Sequence, residues 1–92
     1  MKFRNMDEIT KELRESIKEL PNDELLKVIM ERKPLGLFYE YDEKVERYVG
    51  VDNSNGDAWT EQFKYLEACK DWLTGEGCVE TIQEREKNGY YN

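Results

Sequence analysis

The sequence predicts an α+β fold: two N-terminal helices, a three-stranded antiparallel meander, and a C-terminal helix packed on the sheet. Three observations predict it. Apolar residues recur at steps of three and four as far as Met30, the period changes to two from Leu37, and a helical stripe returns after Phe63. With 92 residues the chain has room for one small domain, residues 1–92. Its parts are a helical hairpin over 1–34, a β-meander over 36–63, a helix over 64–75, and a short helical segment with a tail over 76–92.

In the first helix Met6, Ile9, Leu13, Ile17 and Leu20 share one face, Asn5 or Asp7 caps the start, and Pro21 ends it. The opposite face mixes charges of both signs, the pattern of a solvated surface. NDELLKVIMERK follows as a second helix, with Asn22 as N-cap and Asp23 and Glu24 in the first turn, where carboxylates favour the helix dipole. Leu25, Leu26, Ile29 and Met30 form its expected buried stripe, and Pro34 and Gly36 stop it.

LFYEY, ERYVGVD and DAWTEQF are rich in aromatic and β-branched residues, and the breaks DEKV and NSNG separate them into three strands. YLEACKDWL is a helix with Leu66, Cys69 and Leu73 on one face and Gly75 at its C-cap. In the remaining segment Val79 and Ile82 can pack a short helical turn capped by Glu80 or Thr81, and residues 88–92 are expected to fray.

The acidic stretch VDNSNGDAW, residues 51–59, raises the question of a calcium loop. A loop of the EF-hand type needs oxygen ligands at positions 1, 3 and 5, a glycine at 6 and a bidentate Glu at 12. With Asp52 first, Asp57 takes the glycine's place and Phe63 stands where the Glu belongs. Placing Gly56 at the turn position instead puts Val51 first, which cannot ligate. The stretch is therefore a turn, with Asn55 and Gly56 tolerating positive φ. An odd loop bulged at Gly56 pairs Val51 with Trp59 and Val49 with Glu61, gathering Val49, Val51, Trp59 and Phe63 on one face; an even loop separates them. The expected register is the bulged one, continued into the first strand by pairing Phe38 with Val49 and Glu40 with Arg47. The other face would then carry Leu37, Tyr39, Tyr41, Tyr48, Thr60 and Gln62, covered by the N-terminal helices or left as an aromatic patch.

Composition bounds the function. The 21 acidic and 14 basic residues give a net charge of −7, and Lys and Arg are scattered along the chain, which disfavours direct nucleic-acid binding. No apolar run approaches a membrane span, and MKFRNMDEIT contains no secretory leader, so a reduced cytoplasmic setting is expected for Cys69 and Cys78. Histidine is absent, removing the commonest general base and metal ligand, and two cysteines cannot complete a zinc site. The chain is expected to be no enzyme and to need no cofactor or metal. Cys69 lies on an apolar helix face, and Cys78 is the one candidate reactive thiol.

The segment GLFYEYDEKVERYVGVDNSNGDAWTEQF, followed by a helix ending in DWL, resembles a type of small acidic protein encoded in bacteriophages and prophages. The resemblance covers residues 36–73 and carries no functional residues with it. It implies a host-cell setting, in which small acidic proteins often act as modulators or inhibitors of host machinery. The expected function is thus a non-enzymatic module binding a host protein through its acidic surface or its tyrosine face, with Tyr39, Tyr41, Tyr48, Asp52 and Asp57 as candidate contacts. The alternative is a homo-oligomeric structural or assembly protein, such as a homodimer that buries the tyrosine face.

Overall fold

The computed structural model describes residues 6–92. Four helices and a four-stranded mixed sheet follow one another as α1 (Met6–Glu15), β1 (Lys18–Glu19), α2 (Asn22–Glu31), β2 (Gly36–Asp42), β3 (Arg47–Asn53), β4 (Trp59–Phe63), α3 (Leu66–Leu73) and α4 (Val79–Lys87). The sheet order is β1-β2-β3-β4, with β1 parallel to β2 and the other pairs antiparallel. The meander is present, and a fourth strand extends it.

That extra strand comes out of the expected first helix. α1 stops at Glu15, where the Ser16 hydroxyl donates to the Leu13 carbonyl at 2.6 Å. Lys18 and Glu19 then pair with Phe38 and Tyr39, and the Leu20 N–H donates to the Tyr39 carbonyl at 3.0 Å. Extending the strand sends Ile17 and Leu20 to opposite sides of the sheet, the first toward α3 and the second toward α2. A continuing helix would have kept both on one stripe.

Both faces of the sheet are covered, and this decides the register. Phe38, Val49 and Val51 pack against Leu25 and Val28 of α2. On the other face Leu37 and Phe63 pack with Ala68, Cys69 and Leu73 of α3 and Ile82 of α4. Val51 accordingly pairs with Thr60 and Val49 with Gln62, the even register, and the bulged hairpin is corrected. Putting Phe63 beside Val51 would take a side chain only 1% exposed away from Trp72, whose ring centroid lies 5.6 Å from its own. A fully buried Phe contributes roughly 1.5–3 kcal/mol, more than the exposed Thr60 and Gln62 could recover by moving inward. Between β2 and β3 the register also differs: Phe38 meets Val51 and Glu40 meets Val49, two residues from the expected pairing but with the same residues on the same face.

The second helix is where it was expected, but its buried row is Leu25 and Val28 with Ile29 partly covered, while Leu26 and Met30 face solvent. One sheet face covers only a narrow stripe of a helix. The helix ends at Arg32 in the left-handed region (φ 59°), whose N–H donates to the Val28 carbonyl. Its start is latched to the sheet by Asn22, which donates to Glu40 Oε1 at 2.8 Å.

α3 sits unusually close to β3 because residue 50 is glycine: a Cβ there would lie 2.8 Å from Cys69 Sγ. The C-cap of α3 is Thr74 and not Gly75, which follows it with positive φ (78°), its N–H donating to the Trp72 carbonyl at 3.1 Å. α4 is a full helix with Cys78 at the N-cap, longer than the short turn anticipated. The segment after it is held and not frayed: Tyr91 stacks near Tyr65 with centroids 6.0 Å apart, and the Tyr65 hydroxyl donates to Asn92 Oδ1 at 2.6 Å.

Candidate functional site

The acidic turn is built around one buried amide. Asn53, fully buried, donates to the Pro34 carbonyl at 2.8 Å and accepts the Ala58 N–H at 3.0 Å, so both sides of the loop are fastened to the segment before β2. Asp52 Oδ1 accepts both the N–H (3.1 Å) and the hydroxyl (2.6 Å) of Ser54, an Asx turn that stiffens the loop's first half. Gly56 supplies positive φ (87°), as does Ala58 (49°), whereas Asn55 is not in that region. Among the described residues no group of three or more His, Cys, Asp or Glu side chains is placed to hold a metal ion.

Just beyond the turn, the even register turns Trp59 outward. Its side chain is 62% exposed, and its indole Nε1 donates to Glu61 Oε1 at 3.2 Å. Asp52, Asn55, Asp57, Trp59 and Trp72 together line a depression of about 210 Å³. Two carboxylates therefore share a hollow with two indoles, one from β4 and one from α3. The sequence pattern marked Asp52 and Asp57 but assigned Trp59 to the core, and Trp72 joins only because α3 folds back across Gly50.

The three candidate tyrosines are on the same sheet face but are not grouped with the aspartates. Tyr39 is partly buried against the α3 side of the core, with Lys70 Nζ 5.9 Å from its ring centroid. Burial pushes its hydroxyl pKa up from the ordinary value, with Glu19 adding to the shift. Tyr41 and Tyr48 lie side by side with centroids 4.9 Å apart. Tyr48 is four residues from Asp52 along β3, roughly 13 Å at the usual rise of a strand. The tyrosine face is thus closed at its centre by the C-terminal helices, not the N-terminal ones, and open at two corners, one at Tyr41 and one at Trp59.

Charge is also distributed differently from the linear pattern. Arg47, Lys64 and Lys87, scattered in sequence, line one depression with Gln62, Gln83 and Glu86. Among the described residues no helix is long and apolar enough to cross a membrane.

No protein-family model, no curated protein and no solved structure matches this chain.

Proposed function

We propose that the chain is a small acidic protein-interaction module without catalytic chemistry, which holds a basic segment of another protein against Trp59 and the Asp52–Asp57 turn. In this reading the partner is a host protein and the module its modulator or inhibitor, which the resemblance in residues 36–73 supports. One observation carries the reading: Trp59 is exposed, oriented by Glu61, and shares a hollow with Asp52, Asp57 and Trp72. Exposed indoles are common anchors of protein interfaces. An indole face attracts Lys or Arg cations, and neighbouring carboxylates add charge-assisted hydrogen bonds. The chain's charge of −7 would steer a basic partner toward it.

The test is affinity capture from a host lysate with wild-type protein beside the double variant Asp52→Asn and Asp57→Asn. The partner should be depleted with the variant, and the difference between the two should widen at low salt. Equal capture by both would reduce the loop to a turn.

A second reading, self-assembly, rests on a different surface. Leu13 and Leu35 are exposed and line an apolar groove of about 430 Å³ with Leu37 and Phe38, beside the exposed Ile9 of α1. A second copy covering that groove would sediment as a salt-resistant dimer, and a monomer at high concentration would remove this reading.

A further inference from the structure

We propose that Arg47, Lys64 and Lys87 form a binding site for a compact phosphate-type oxyanion, at the opposite end of β4 from Trp59. Arg47 opens β3, Lys64 follows β4 directly, and Lys87 closes α4, so three separate elements deliver one cation each to a depression of about 320 Å³. None of the three makes an ion pair with a described residue, in a chain whose acidic residues outnumber its basic ones. The Arg47 guanidinium is oriented by its own turn, donating through Nη1 to the carbonyls of Glu46 (3.0 Å) and Val45 (3.4 Å).

Among the described residues of the lining Glu86 is the only carboxylate, and its Oε2 is already engaged. It accepts the N–H groups of Lys64 (2.6 Å) and Tyr65 (3.0 Å) and so fixes the corner that presents Lys64. Gln83 crosses the depression to donate to the Gln62 carbonyl at 3.2 Å. The rest of the wall is a guanidinium, two ammonium groups and two side-chain amides, whose NH2 groups donate and whose carbonyl oxygens accept.

A multivalent oxyanion suits that wall because charge-assisted hydrogen bonds from several fixed donors add at one small centre, and a guanidinium matches paired phosphate oxygens. Asp42 stands opposite Arg47 in the β2–β3 register and its Oδ1 already accepts the Lys44 N–H, while the lining itself sets three cations against Glu86, and repulsion from acidic groups farther away is screened beyond about 8 Å at physiological ionic strength. A nucleic-acid strand would run from these three cations onto acidic surface, whereas a compact anion needs only the depression.

The experiment is a titration of inorganic pyrophosphate into the ¹⁵N-labelled full chain at constant ionic strength. Saturable shifts are expected at the backbone amides of Lys64 and Lys87 and the side-chain amides of Gln62 and Gln83. The Lys64→Ala/Lys87→Ala variant should keep its other resonances in place and lose about tenfold or more in affinity. Absence of saturable shifts in the wild type, or unchanged affinity in that variant, would overturn the proposal. A hexaglutamate peptide is the second arm: weaker binding than pyrophosphate supports a phosphate ligand, and tighter binding at the same residues would replace it with an acidic polypeptide.

Discussion

The Tyr91 hydroxyl donates to Asp71 Oδ2 at 2.8 Å, while Arg14 donates to Oδ1 of the same carboxylate at 2.8 Å. A single side chain on α3 thereby ties the first helix to the last turn of the chain, and Arg14 reaches Glu67 as well. Asp71→Asn should destabilise the fold by about 1–2 kcal/mol, since it weakens two hydrogen bonds of which one is charge-assisted on both sides. Tyr91→Phe should cost about 1 kcal/mol. Urea unfolding followed by tryptophan fluorescence measures both; if neither variant shifts the midpoint, the C-terminal turn is not docked through Asp71.

Burial of Cys69 and Tyr91, and to a smaller extent of Tyr39, makes the fold sensitive to alkali. Burial pushes the Cys69 thiol up to about 12 from 9.0, with the charge of Glu86 adding to it. Tyr91 is pushed up to about 12 from 10.0, first by burial and then by its bond to Asp71. Both values are raised in the folded state, so their stabilising contributions are complete below about pH 9 for the thiol and pH 10 for the phenol, and are lost as pH approaches 12. Stability should fall steeply over that window, and Cys69→Ala should remove the earlier part of the fall. Thiol labelling near neutral pH gives a second check: the exposed Cys78 should react at once and the buried Cys69 only as the protein unfolds. Two thiols reacting together in the native state would contradict this placement.

Gly50 is where the α3 layer meets the sheet, and a methyl group there would meet Cys69 Sγ at 2.8 Å and the Trp72 ring at 3.4 Å. Gly50→Ala should therefore cost about 1–3 kcal/mol, the usual range for overpacking a tight core. In Gly50→Ala/Cys69→Ala the sulfur is gone, so the second substitution should cost less than it does alone. Additive costs in a double-mutant cycle would mean that α3 does not press on residue 50.

The second and third helices and the three main strands were legible because each carries its own signal: a proline or glycine stop, an apolar row, or a run of aromatic and β-branched residues. β1 carries none, since Lys18 and Glu19 are exposed and only their backbone pairs with β2. The β3–β4 register was misjudged for a physical reason. Period-two patterning locates a core face only when the other face is wet, and here α2 and α3 cover both, so Phe63 and Val51 are buried on opposite sides. At the site, Asp52 and Asp57 were visible as a polar cluster, but the outward turn of Trp59 follows from that register and the arrival of Trp72 from the docking of α3. Arg47, Lys64 and Lys87 are each unremarkable in sequence, because their grouping depends on three element ends meeting. The order of the last residues rests on Tyr91 finding Asp71, a contact with no local signature.

The central claim is that Trp59 anchors a protein partner, and the most direct measurement is the affinity of the captured partner for wild-type protein and for Trp59→Ala by titration calorimetry. The exposed position predicts a stability change within about 0.5 kcal/mol, so the fold serves as its own control. The account predicts a binding loss of about 2 kcal/mol or more, the scale of an interface hot spot. Affinity unchanged within about twofold, in a variant equally stable, would contradict it.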